Sequence, residues 1–165
     1  MKIAAVQMVP TPDVARTLAA AARLVAEAAD AGARLVALPE YFCLMGQRDD
    51  DKLAIAEADG DGPIQAFLAE TARRHGIWLV GGTRPIRATA PGRVRNACCV
   101  YGPEGARVAR YDKIHLFAFD NGREHYDEGR VLEAGSEPVA FDAGGLRVGL
   151  SICYDLRFPE LYRAL

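Results

Sequence analysis

Apolar residues follow two alternating rhythms along this chain. "KIAAVQMV" (2–9) is a short, nearly continuous apolar run, the pattern of a strand covered on both faces. From Pro12 and Asp13 the period lengthens. Leu18, Ala21, Ala22, Val25, Ala28 and Ala29 recur at helical spacing, and Gly32 follows as the residue just past a helix end. "RLVALPE" returns to a buried strand, stopped by Pro39. Strand, helix, strand predicts a βαβ unit with a right-handed crossover and parallel pairing. The plan then repeats. Gly62 and Pro63 open a helix at "PIQAFLAETARRH", with Pro63 in its first turn and Gly76 closing it, and "IWLVGGT" is the next strand.

The second half reads differently. After a loop rich in Pro, Gly and Arg, "VRNACCVY" and "ARVARY" flank "GPEG" and predict a hairpin. "PVAFD" and "LRVGLSIC" around "AGG" predict another, and 157–165 reads as the opening turns of a helix. The stretch from Asp112 to Ser136 has little periodicity, and a loop that long inside a compact domain is expected to serve function. The fold class is α/β with a mixed sheet, and 165 residues suffice for one domain with a sizeable core.

Composition narrows the partners. A formal net charge of −2 and scattered arginines give no electrostatic case for nucleic acid or an anionic membrane. No apolar run approaches the ~20 residues that span a bilayer. The amino terminus reads as a first strand rather than a signal peptide. Cys43, Cys98, Cys99 and Cys153 have neither zinc-site nor CxxC spacing, and adjacent Cys98 and Cys99 point to opposite faces of a strand. A reduced, cytoplasmic protein is the expectation.

Candidate chemistry begins with Cys153. "VGLSIC" delivers it where a strand ends and "YDLRFPEL" leaves in a new direction. Ligands bind in such crevices, and unpaired N–H groups there could hold an oxyanion. The alternative is a buried structural cysteine. Glu40, just past "RLVALP", is either a solvated loop carboxylate or a base for that thiol, at the same end of the sheet if both strands run the same way. Lys113 in "RYDKIHLF" is either an exposed lysine or an ammonium held in the partly dry setting of "IHLFAF". His115, two residues beyond Lys113, is read as structural rather than as a partner of the thiol. His75 fits a helix C-terminus, and His125 carries no signal.

Together, "LVALPEYF", "YDKIHLF" and "GLSICYDLRFPEL", in that order, strongly resemble the nitrilase superfamily of carbon–nitrogen hydrolases. The resemblance runs from "KIAAVQM" to the last residue. "KIHLFAFDNGREHYDEGRVLEAG" and "CYDLRFPELYRAL" are most similar to its Nit-type amidases, a branch that includes omega-amidases and deaminated glutathione amidases. The resemblance implies a four-layer α-β-β-α sandwich, of which residues 1–165 would be the N-terminal part of one carbon–nitrogen hydrolase domain, incomplete at the C-terminus.

The same resemblance implies a Glu–Lys–Cys triad. Cys153 would be the nucleophile, Glu40 the general base, and Lys113 the stabiliser of the tetrahedral intermediate, helped by the backbone N–H of Tyr154. Glu128 would orient Lys113 or the substrate amide. The implied reaction turns a small linear carboxamide into acid and ammonia through a thioester, with no metal or organic cofactor, in a protein that is a homo-oligomer when full length. Two other readings stay open: a catalytically silent fragment or interaction module of the same fold, and a nitrilase or N-carbamoyl hydrolase. A Cys–His glutamine amidotransferase fits poorly, since no histidine follows Cys153.

Overall fold

The computed structural model describes all residues from 1 to 165. Strand β1 (Ile3–Ala5) pairs in parallel with β2 (Leu35–Ala37), which pairs in parallel with β3 (Trp78–Val80). Helix α1 (Val14–Asp30) makes the first crossover, and α3 (Pro63–His75) the second, after the short α2 (Asp51–Ala54). Both long helices begin and end as their sequences dictate. The Asp13 carboxylate caps α1 by accepting from the Arg16 N–H, and Gly32 leaves it at φ +88°. Pro63 occupies the first turn of α3, and Gly76 terminates it in the left-handed region.

The sheet then turns antiparallel. Strand β5 (Val94–Tyr101) pairs with β6 (Arg107–Asp112) on one side. On the other side it pairs with β3 and with β4 (Arg84–Arg87), giving a six-stranded mixed sheet. β4 lies in the segment expected to be loop. Pro85 and the two arginines Arg84 and Arg87 mask it in the sequence, yet Ile86 is fully buried and the strand lies at an edge that tolerates proline.

The two faces of the sheet bury different partners. Val36, Leu38, Leu79, Cys99 and Tyr101 pack with Ala21, Val25, Ile64 and Leu68 of the helices. Leu35, Cys98 and Val100 face the other way, against Phe141, Leu150, Ile152 and Leu161. Cys98 and Cys99 thus serve opposite cores. Phe141 belongs to β9 (Ala140–Asp142), which pairs antiparallel with β10 (Arg147–Gly149) as a separate two-stranded sheet. Leu161 belongs to α4 (Pro159–Ala164).

Two expectations need correction here. β10 stops at Gly149, so Cys153 is not the last residue of a strand, and β10 is not in the sheet of β2. Glu40 and Cys153 therefore meet across two stacked layers, not along the edge of one. The stretch 112–136 also holds order of its own: β7 (Ala118–Asp120) and β8 (His125–Asp127) form a small exposed hairpin, followed by a 3-10 turn at Glu128–Arg130. No helix is long and apolar enough to cross a membrane.

Candidate active site

Each candidate residue reaches the site from a different element. Glu40 follows β2 in the turn after Leu38–Pro39, and the chain there is anchored to a break between β3 and β4. The Leu38 N–H donates to the Val80 carbonyl, Thr83 N–H to the Pro39 carbonyl, and Tyr41 N–H to the Thr83 hydroxyl at 2.8 Å. Gly82 makes this contact possible. It sits at φ +53°, and a Cβ there would fall 2.2 Å from the Pro39 oxygen.

Lys113 follows β6, and its side chain is completely buried. Its ammonium lies 3.2 Å from Glu40 Oε1 and 3.1 and 2.9 Å from the two oxygens of Glu128. Burial pulls its pKa down most strongly, but Glu40, Glu128 and Cys153 together override that and hold it above the ordinary lysine value. Glu128 is itself fixed by the Phe117 N–H at 2.8 Å, while its own N–H returns to the Phe117 carbonyl at 2.9 Å. Asn96 of β5 donates to Glu40 Oε1 at 2.8 Å. A lysine so placed is a fixed point charge rather than a floating one.

Cys153 opens a 3-10 turn (Cys153–Arg157) at φ +49°, in the left-handed region that non-glycine residues avoid. Tyr41, beside Glu40, is the other non-glycine residue with positive φ. The two strained positions thus flank the same site. Cys153 is exposed, whereas the other three cysteines are buried. The opening N–H groups of such a turn, those of Cys153 and Tyr154 among them, lack acceptors within it. The Cys153 thiol is pushed up, first by partial burial and then by the Glu40 carboxylate, while Lys113 pulls it down.

A cavity of about 310 Å³ connects the parts. Its lining runs from Glu40 and Cys153 between the two sheets, past Leu35, Val80, Cys98 and Leu150. The structure therefore brings Glu40, Lys113, Glu128 and the Cys153 turn together. His115 stands apart from Lys113, with Nδ1 2.7 Å from Asp155, while His125 is exposed and lies 3.3 Å from Asp120. No three His, Cys, Asp or Glu side chains are arranged to hold a metal ion.

Sequence reasoning missed Asn96 and Asp155. Asn96 sits inside a strand that reads as apolar core. Asp155 reads as a solvated residue in a turn, although it is fully buried. The one signal available was its place two residues after the cysteine, within the first turn of a helix-like segment.

Comparison with known proteins places the chain in a family. The carbon-nitrogen hydrolase family matches residues 2–165. The chloroplastic omega-amidase of Arabidopsis thaliana is 38% identical over 159 residues, covering 94% of this chain and 42% of that protein. A deaminated glutathione amidase of Synechocystis is 35% identical over 166 residues, covering 98% of this chain and 60% of that one. Among solved structures, an amidase from Nesterenkonia sp. superposes with a TM-score of 0.82 at 29% identity, over 99% of this chain and 59% of its own. Nit3 of Saccharomyces cerevisiae, from branch 10 of the nitrilase superfamily, gives 0.78 at 29%, over 91% and 54%. The chain spans about half the length of such relatives. From the strained cysteine turn to the buried lysine between two glutamates, it belongs to the carbon-nitrogen hydrolase family, in its Nit-type amidase branch.

Proposed function

We propose that the protein hydrolyses a small linear carboxamide to a carboxylic acid and ammonia, with Cys153 as nucleophile. The observation that carries this reading is the Lys113 ammonium, wholly buried between two carboxylates and electrostatically felt by the one exposed thiol. The raised Cys153 thiol rests protonated, so attack needs a base. Glu40 takes the proton as sulfur bonds to the amide carbon. The oxyanion that forms is held by Lys113 and the Tyr154 N–H. Glu128 keeps the Lys113 charge in place.

Collapse of the intermediate breaks the C–N bond, and Glu40 returns its proton to the leaving nitrogen, which departs as ammonia. A thioester remains. Glu40 then deprotonates a water that attacks the thioester carbon, the C–S bond breaks, and the proton goes back to sulfur. Support from outside the chain is of the same kind. A variant of the Nesterenkonia amidase carries the Michael adduct of acrylamide at its active-site cysteine, so that protein's thiol meets a small unsaturated amide.

The relatives' names point to omega-amides or to deaminated glutathione as the substrate class. Four free thiols fit a reducing, cytoplasmic setting. Exposed Leu156 and Tyr162 near α4 offer apolar surface to a second copy in a homo-oligomer. The test is ammonia release from a panel of monoamides by the protein as its source makes it, with its intact mass recorded. Turnover lost in Cys153→Ala supports the reading. A protein of confirmed mass that releases no ammonia from any of them leaves a catalytically silent member of the same fold.

A further inference from the structure

One fully enclosed carboxylate beneath the nucleophile has no part in the reaction just described. Asp155 accepts from the Tyr111 hydroxyl at 2.6 Å, from the Ile152 N–H at 2.8 Å and from the His115 N–H at 3.0 Å, and His115 Nδ1 lies 2.7 Å from it. An ionised carboxylate offers about four acceptor sites, and here the chain itself takes all of them. The donors come from three separate places. Tyr111 is the penultimate residue of β6, His115 lies two residues beyond Lys113, and Ile152 immediately precedes Cys153. One side chain thus ties the segment that carries the lysine to the turn that carries the thiol.

The braces are themselves fixed. Tyr111 is fully buried, and its oxygen also accepts the Ile114 N–H at 3.3 Å. The His115 ring is stacked on Phe158, which leaves the same turn, with centroids 3.6 Å apart and planes within 7°. Asp155 also closes on its own turn, because its N–H donates to the Ile152 carbonyl at 3.1 Å. Ile152 is therefore held from both sides by one residue, immediately before the backbone enters the left-handed conformation at Cys153. A strained backbone persists only where its surroundings over-determine it, and Asp155 supplies that over-determination.

We propose that Asp155 is a positioning residue, braced by Tyr111 and His115, that holds Cys153 in its left-handed conformation and aims the thiol and the Tyr154 N–H at the point Lys113 faces. Its effect on turnover rests on the hydrolase reading. Its effect on thiol presentation does not, and the two are read separately.

The experiment measures three things on Asp155→Asn: the urea midpoint, the rate of Cys153 alkylation by iodoacetamide followed by intact mass, and kcat and KM for ammonia release. The buried cysteines leave the alkylation signal to Cys153. Asparagine keeps the volume but cannot accept all four contacts. A cooperatively folded variant is expected to alkylate about 10-fold more slowly and to lose about 100-fold in kcat, the scale of a small misplacement of reacting groups. KM should stay within about 3-fold, because no contact to substrate is removed. Tyr111→Phe and His115→Ala should move the same quantities by less, and His115→Asn, whose Nδ2 can stand where Nδ1 does, should recover much of the loss. These three carry the test if Asp155→Asn does not fold. Variants that lose only urea resistance, with alkylation and kcat unchanged, overturn the proposal. Slowed alkylation in a protein without turnover would sink the hydrolase reading and leave the positioning role standing.

Discussion

Arg84 and Lys113 are both cations sunk completely into this protein, each beside glutamate, and they differ in what faces them. Arg84 lies 3.7 Å from Glu57, keeps Nε and Nη1 without hydrogen-bond partners, and sits in reach of Cys43 and Cys98. Its charge pulls those thiols down, yet burial wins and pushes each up to about 12. Lys113 is satisfied by three carboxylate oxygens, and the thiol it influences is exposed. A cation near a cysteine is therefore not enough. Glu57 spends its carboxylate on the Ile64 and Gln65 N–H groups at the start of α3 and on the Gln65 amide, whereas Glu40 lines the cavity and takes both its side-chain hydrogen bonds, from Asn96 and Lys113, on Oε1 alone. One pair fastens a helix, and the other borders the cavity with the exposed thiol.

The comparison breaks most completely at the thiol. Cys153→Ala is expected to abolish ammonia release and the single alkylation adduct together, and any turnover carried by Cys43, Cys98 or Cys99 would refute the contrast. Glu40→Gln should lower turnover by about 100- to 10,000-fold, the worth of a general base. It should also shift the alkylation–pH profile of Cys153 to lower pH, since the carboxylate raises that thiol. Lys113→Met should cost about 100- to 1000-fold as an oxyanion donor is lost. Its profile should move the opposite way, to higher pH, because the ammonium stabilises the thiolate. Opposite shifts from two neighbouring substitutions separate a charge effect from general damage.

The smallest effect on the thiol is expected at the other pair. Arg84→Met leaves the Glu57 charge buried without its cation, and unfolding free energy should fall by about 3 kcal/mol. The Cys153 alkylation profile should stay where it is. The double variant Arg84→Met/Glu57→Gln should recover most of that stability in a urea titration, as buried pairs replaced together often do. A shifted thiol profile in either variant would mean that the two regions are coupled.

What the sequence makes legible follows its strongest periodicities. α1, α3 and the parallel strands stand out because their apolar spacing, capping residues and glycine stops agree with one another. Cys98 and Cys99 part to opposite cores because a strand alternates. β4 is hidden by Pro85 and its arginines, since its burial comes from neighbours that sequence spacing does not reveal. The β7–β8 hairpin is hidden because Phe119 and Tyr126 are exposed and give no core-facing pattern. The order of three motifs singles out the candidates Glu40, Lys113 and Cys153. The approach of Lys113 to Glu40, and the bonds from Tyr111 and His115 to Asp155, join positions 40 or more residues apart.

Gly82 has a consequence at the level of the gene. A Cβ there would meet the Pro39 carbonyl at 2.2 Å, so the turn bearing Glu40 already fills the space a side chain would need. Every change at the first or second base of a glycine codon adds a side chain or ends the chain. Only third-base changes are silent with respect to that space. Of the single-base changes open to this codon, those at the third base alone leave the Pro39 carbonyl where it stands.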